Sequence, residues 1–184
     1  MTNKKSMVFS LSLSLFLILS SLIFVACSKE SADVVKEDVI KRVLELQFND
    51  PDKKFMALIH DPKYTTVIDN QEVNPELDQY IQEVYGPYFM ESYLETFLNT
   101  IGLKYPVIAY TSGYKLNLKD VVVEKSKKAS NRYDFTATVG YQKEGEIEKT
   151  TELSGYTLFS TNDKGKIGKF EYDNDNGFSE ELNN

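Results

Sequence analysis

The pattern of apolar and polar positions divides the chain into a helical first half and a strand-rich second half. Apolar side chains recur at three- and four-residue steps from Val35 to Leu46. This spacing gives one broad apolar stripe and predicts a first helix over residues 34–48, with Ser31 or Asp33 as its cap. Pro51 ends that helix and opens a second, short one that stops before Pro62, with Asp50 as the predicted cap.

The middle of the chain predicts a short strand followed by a long, interrupted helical region. The strand covers residues 64–68 and ends at a turn around Asp69-Asn70. Residues 75–101 have helical spacing, but Gly86-Pro87 interrupts them, so we expect one helix to residue 85 and a second from Pro87 to a glycine stop at Gly102. In the second helix, we expect Phe97 to be the most buried aromatic residue, because it lies deepest in the apolar segment.

After residue 102 the period changes from that of a helix to that of a strand. The stretch YDFTATVGY, residues 133–141, alternates cleanly between large apolar and polar side chains. Further strands are predicted at residues 105–111, 114–124, 147–160 and 166–172, joined in part by the glycine-containing turns KEGE and NDKG. Helices followed by a meander of strands indicate an α+β fold, with N-terminal helices packed on an antiparallel sheet of four to six strands.

The N-terminus has the pattern of a secretory signal. Lys4 and Lys5 precede residues 8–26, which carry no charge, and the apolar run ends at Ala26. The sequence FVAC, residues 24–27, resembles the lipobox of bacterial lipoproteins, although Phe24 stands where leucine is usual. The resemblance implies cleavage after Ala26 and lipid attachment at Cys27. The alternative is an uncleaved membrane anchor, since the apolar run approaches the roughly 20 residues that span a bilayer.

These patterns divide the chain into four parts. Residues 1–26 form the signal peptide, 27–33 the lipidated cysteine and tether, 34–172 a single α+β domain, and 173–184 an acidic tail that we expect to be flexible. The predicted location is the extracytoplasmic face of the cell membrane, with the lipid as the link to the membrane. Cys27 is the only cysteine, so no disulfide can form within the chain.

Charge excludes one class of partner. The whole chain has 21 Lys+Arg and 28 Asp+Glu, for a formal net charge of −7. Removing the signal peptide takes away two lysines and no acidic residue, so the mature domain would be more acidic still. Nucleic-acid binding is therefore not expected, because phosphate contacts need clustered basic side chains.

The order of elements over residues 34–172, together with the closing sequence GYTLFSTNDKGKIGKFEY, resembles the nuclear transport factor 2-like (cystatin-like) superfamily. That resemblance implies a strongly bent sheet and a pocket between sheet and helices, often with aromatic walls. The residues that would line such a pocket here are Tyr88, Tyr93, Phe97, Tyr133, Phe135 and Tyr141. The alternative for the same residues is ordinary core packing, since large aromatic side chains at regular spacing usually pack together.

Few residues carry chemistry by themselves. His60 is the only histidine, and its position at a predicted helix end accounts for it without a catalytic role. One histidine and one cysteine cannot form a zinc site, and the acidic tail does not fit the spacing of an EF-hand loop. Phosphate-binding glycine motifs are absent from the sequence. We therefore predict no catalytic residue, no metal and no cofactor.

Three classes of function remain open from the sequence. The favoured one is a lipid-anchored, extracytoplasmic binding or interaction domain without catalysis. A small pocket enzyme of the isomerase or dehydratase type is the second, since some members of the superfamily pair a carboxylate or histidine with a tyrosine. An accessory subunit of a membrane complex is the third, and a large exposed apolar patch would favour it.

Overall fold

Residues 32–49 and 52–184 are described by the structure, a computed structural model. The predictions for the signal peptide and for Cys27 lie outside these residues. Residues 37–184 form one compact unit. Among the described residues, every helix is too short or too polar to cross a membrane.

Helices make up the first half of the described chain and strands the second. Within the described residues, helix α1 covers residues 32–48, so its end agrees with the first predicted helix, whereas Asp33, one of the two predicted caps, is already helical. The remaining elements of the helical half are α2 (Lys53–His60), a 3₁₀ turn (Pro62–Tyr64), β1 (Thr66–Ile68), β2 (Gln71–Val73), α3 (Pro75–Val84), α4 (Glu91–Phe97), a π turn (Leu98–Gly102) and α5 (Lys104–Ser112). The second half contains β3 (Tyr114–Lys125), β4 (Arg132–Lys143), β5 (Lys149–Phe159), β6 (Ile167–Asn174) and α6 (Phe178–Leu182).

Strands β3 to β6 form one antiparallel sheet in the order of the sequence, which confirms the α+β prediction and the meander. On β4, the residues predicted to face the core are at most 8% exposed, from Tyr133 to Tyr141, while Thr136 between them is exposed. The predicted turns are also present, with positive φ at Gly145 and Gly165. Alternation therefore identified the inner face of the central strand, because successive side chains of a strand point to opposite faces.

Residues 105–111, predicted as a strand, belong instead to helix α5. Tyr105, Pro106 and Ala109 are its buried residues, and this spacing is helical. Pro106 lies in the first turn, where its missing N–H leaves no helical hydrogen bond unmade, and Gly113 ends the helix at φ +74°. The strand prediction was wrong because aromatic and β-branched side chains favour strands, and packing against the core overrode that local preference.

The helical region after residue 75 is divided at Gly86-Pro87, as predicted. Helix α3 ends at Val84, and α4 begins at Glu91 rather than at Pro87. Between them the chain extends and joins the edge of the sheet, where the Met90 N–H donates to Ile167 O over 2.9 Å. Phe97 is fully buried, as predicted, and its ring lies 5.6 Å from that of Phe170 on β6. Gly102 does not end the helical region, since a π turn passes through it to α5.

Two short elements of the helical half differ from their predictions. Helix α2 is capped by Asp52, whose side chain accepts hydrogen bonds from the backbone N–H groups of Lys54 and Phe55. Strand β1 starts at Thr66 rather than at residue 64, and it pairs with β2, a strand that the pattern did not predict. The predicted turn between them is confirmed, with φ +52° at Asp69 and +63° at Asn70.

The acidic tail was predicted to be frayed, but in the structure it is folded and packs on the domain. Strand β6 continues to Asn174, and α6 buries Phe178 and Leu182 almost completely. The ring of Phe178 stacks on Tyr105 at 5.5 Å, which fixes the tail against helix α5. The tail was misjudged because its acidic and amide residues suggested solvation, whereas these two apolar side chains determine where it lies.

Candidate functional site

The six aromatic residues proposed for a pocket lie in the core or at its edge. Phe97, Tyr133, Phe135 and Tyr141 are 0%, 0%, 3% and 8% exposed, whereas Tyr88 and Tyr93 are half-buried. Phe97 and Phe135 meet through Phe170, 5.6 and 5.0 Å away between ring centres.

Other residues of the predicted aromatic set pack against different partners. Tyr133 packs on Phe159 at 5.4 Å, and Tyr141 packs on Phe178 at 5.1 Å, toward the other end of β4. The Tyr93 hydroxyl lies 3.0 Å from both the backbone N and O of Phe170. In the described part of the chain these side chains therefore form separate contacts, most of them in the core, and Phe135 also lines a surface pocket with Thr136 and Gly155.

A small cavity lies elsewhere, where helices α1, α2, α3 and α5 meet. Its volume is about 170 Å³. One part of the lining is apolar and the other is polar. The apolar residues are Leu46, Phe55, Met56 and Pro106, and the polar ones are Arg42, Glu45, Asn49, Asp52, Tyr80 and Tyr85.

Asp52 holds the polar side of this cavity in place. Its Oδ1 accepts the N–H of Lys54 at 2.8 Å at the start of α2, and its Oδ2 accepts the hydroxyl of Tyr80 at 2.7 Å. Burial acts to raise the pKa of Asp52, but the hydrogen bonds from Tyr80 and from the helix N-terminus outweigh it and lower that pKa. Asp52 is therefore a carboxylate at neutral pH, and both of its oxygens are occupied.

Tyr85 contributes a hydroxyl without a hydrogen bond to any described residue. Its side chain is 2% exposed, and its ring packs on Phe55 and Phe97 at 6.1 and 6.2 Å. Burial, and secondarily the negative charge of Asp52, raise the pKa of the Tyr85 hydroxyl. The hydroxyl is therefore protonated at neutral pH and can donate a hydrogen bond to a group that enters the cavity.

Arg42 and Glu45 form the charged rim of the cavity. They lie one turn apart on α1, and Arg42 Nη1 donates to Glu45 Oε2 over 2.8 Å. The same guanidinium is close to Tyr88. The hydrogen bond to Glu45 is the larger cause, and that to Tyr88 the smaller, of the raised pKa of Arg42. Tyr88, from the predicted aromatic set, therefore approaches this rim.

His60 lies apart from the cavity residues. It is the last residue of α2 and exposed, and its ring stacks on that of Tyr110 at 5.6 Å. No group of three or more His, Cys, Asp or Glu side chains in the described part of the chain could hold a metal ion.

The sequence patterns did not identify any of the cavity-lining residues as part of a binding site. Tyr80 and Tyr85 were part of the aromatic helical region, but the cap signal was assigned to Asp50 rather than to Asp52. The useful signal was a second acidic residue directly before the helix, since an aspartate there caps the helix N-terminus. Its meeting with Tyr80, 28 positions later, depends on how α2 packs against α3.

Comparison with known proteins gives one distant structural neighbour. No family model matches the chain, and no curated protein matches it. A crystal structure provisionally assigned as a polyketide cyclase from Pseudomonas putida KT2440 aligns with a TM-score of 0.31 at 12% sequence identity. The alignment covers 79% of this chain and 96% of that one.

Proposed function

We propose that the chain is a lipid-anchored, extracytoplasmic binding domain that holds a small polar molecule in the cavity between Asp52 and Tyr85. The observation that carries this proposal is the protonated hydroxyl of Tyr85, a residue that lines the cavity and whose hydroxyl has no hydrogen bond to another described residue. A ligand that accepts the hydrogen bond of this hydroxyl gains affinity from that bond.

Size and charge define the class of ligand. A cavity of about 170 Å³ is close to the roughly 150 Å³ that holds benzene in an engineered core. Arg42 is paired with Glu45, which leaves the carboxylate of Asp52 as the remaining charge among the lining residues. The favoured ligand is therefore a neutral or cationic molecule of about this size, with one apolar face and one oxygen acceptor.

Acid–base catalysis is the weaker candidate for the same cavity. Asp52 and Tyr80 do form a carboxylate–tyrosine pair, the combination that a small isomerase or dehydratase would use. A general base works best with a pKa near the operating pH, yet the pKa of Asp52 is lowered and those of Tyr80 and Tyr85 are raised. These shifts move each group away from proton transfer at neutral pH, which supports binding.

A fragment screen by ligand-observed NMR tests the cavity. Small oxygen-containing aromatic and heterocyclic fragments should show saturation transfer from the wild-type protein, and Tyr85→Phe should weaken the hits about tenfold by removing one hydrogen bond. Tyr110→Phe is the matched control, because Tyr110 is 50% exposed and does not line the cavity. Equal weakening in both variants, or no hits with the wild type, would refute the cavity as a ligand site.

The lipid anchor is a separate part of the proposal and rests on residues 1–27, with their charged start, uncharged run and terminal cysteine. Two acyl chains would give stable membrane attachment at about 0.8 kcal/mol per buried CH₂. Metabolic labelling with a fatty acid should mark the wild-type chain and leave Cys27→Ser unlabelled. Equal label on both chains would refute lipidation at Cys27, whatever the outcome for the cavity.

A further inference from the structure

An apolar groove lies between helices α3 and α4, and none of its lining residues lines the Asp52–Tyr85 cavity. Its volume is about 480 Å³. Leu77 and Ile81, one turn apart on α3, form one wall, and Leu94 and Leu98 form the other. Leu103 also lines the groove. We call this surface, with its charged edge described next, the acidic groove.

The edge of the acidic groove carries only negative charge among its described lining residues. Asp78 lies on the α3 side, and Glu91 and Glu95 lie one turn apart on α4. All three side chains are exposed, and none forms an ion pair with another described residue. Three carboxylates around an apolar floor leave the surface without an internal counter-charge.

The segment of the chain that contains the acidic groove is itself negatively charged. Residues 64–103 contain seven Asp and Glu and no Lys, Arg or His, while the formal net charge of the whole chain is −7. The remaining residues therefore sum to zero, and the entire net charge belongs to the segment that builds this surface. Such a field attracts a cationic partner from solution and repels an acidic one.

We infer that the acidic groove docks a lysine-rich amphipathic helix of a partner protein. Leu77 and Ile81 are half-buried, whereas Leu94 and Leu98 are only 3% and 6% exposed. The four-residue step of the more accessible pair on α3 suits the apolar stripe of a helix, whose anchors recur at three- and four-residue steps. Basic residues beside that stripe would reach Asp78, Glu91 and Glu95. This interaction goes beyond small-molecule binding, and it gives the domain a protein partner whether or not the cavity is occupied.

Fluorescence anisotropy with a designed peptide tests the docking. The probe is a labelled 14-residue helix of leucine and lysine, and the comparison peptide has the same leucines with glutamate in place of lysine. The full-length chain is held in nanodiscs of a neutral lipid, with empty nanodiscs subtracted. The lysine peptide should bind, with affinity that falls as salt rises, and the glutamate peptide should not.

Two double variants separate the groove from the general acidity of the domain. Glu91→Gln with Glu95→Gln should weaken the lysine peptide roughly tenfold, the combined effect of two exposed charge pairs. Glu144→Gln with Glu146→Gln removes the same charge from the exposed β4–β5 turn and should leave binding unchanged. Equal loss in both variants would overturn the inference, because attraction would then come from net charge alone.

The occupant could instead be a second copy of the chain, and this alternative has its own result. Light scattering should show the purified protein to be monomeric in its nanodisc at the concentrations used for binding. A dimer that dissociates in Ile81→Glu would assign the groove to self-association and overturn the proposed partner. Binding of the glutamate peptide as strongly as the lysine peptide would overturn it as well.

Discussion

The sheet and the helical layer differ in how closely their side chains pack against one another. On the inner face of β4, every second residue is buried against other apolar groups, and the rings of Phe135, Phe170 and Tyr172 contact one another at 5.0 to 5.7 Å. The helices also pack on this core, but they leave a cavity beside Asp52 and a groove along α3. The two candidate binding surfaces therefore both lie in the helical layer.

The largest expected effect lies on strand β4. Phe135→Asp should unfold the domain, because it places a carboxylate between Phe170 and Tyr172, at 5.0 and 5.7 Å from the present ring. Thr136→Asp should be tolerated, since its side chain is exposed on the other face. Thermal melts followed by circular dichroism compare the two. Similar losses in both variants would contradict the inner and outer faces assigned to the sheet.

A smaller but still large effect is expected where the helical layer meets the sheet. Phe97→Ala should cost about 3–5 kcal/mol, because the fully buried ring stacks on Phe89 at 4.1 Å and contacts Phe170. Tyr110→Ala, at a side chain that is 50% exposed, should cost much less. Urea denaturation gives both values. A loss below about 1 kcal/mol for Phe97→Ala would show that this contact does not stabilise the layer.

The docked tail should depend on pH. Asp175 accepts hydrogen bonds from Tyr105 and Ser179 and lies 3.4 Å from Lys104. Burial acts to raise the pKa of Asp175, but these partners together lower it below its ordinary value of 3.8. The unfolded chain then binds the proton more readily, so the stabilisation is present above about pH 4 and is lost as pH falls through the lower, folded pKa.

Asp175→Asn measures that contribution. It should cost about 1 kcal/mol near neutral pH, and its difference from the wild type should shrink as the pH is lowered. Urea denaturation at a series of pH values, followed by circular dichroism, gives the difference. A constant difference across the acid range would show that the charge of Asp175 does not hold the tail.

The smallest effects are expected in the cavity. Tyr85→Phe should change stability by less than about 0.5 kcal/mol, because its hydroxyl has no hydrogen-bond partner among the described residues to lose. Tyr80→Phe should cost about 1 kcal/mol, because it removes the 2.7 Å hydrogen bond to Asp52. Thermal melts without ligand distinguish them. A larger loss for Tyr85→Phe than for Tyr80→Phe would mean that the Tyr85 hydroxyl is satisfied within the protein.

Short-range patterns were sufficient for the elements whose periodicity and breaks are local. The alternation from Tyr133 to Tyr141, the break at Gly86-Pro87 and the glycines of the strand turns all correspond to the structure. Each depends on the geometry of a single element, namely the two-residue period of a strand, the missing N–H of proline or the positive φ that glycine tolerates. The signal peptide and lipidation of Cys27 stay predictions from the same kind of pattern.

Tertiary packing decided the rest, because it joins residues that are far apart in the sequence. Helix α5 forms from strand-favouring residues, since Tyr105 and Ala109 are buried in the core. Gly155 shows the same dependence, because a Cβ there would clash with the carbonyl oxygen of Glu171 on the neighbouring strand. The Asp52–Tyr80 pair likewise arises only when α2 packs against α3. The sequence by itself determined the periods of its elements, whereas the candidate site exists only through contacts between them.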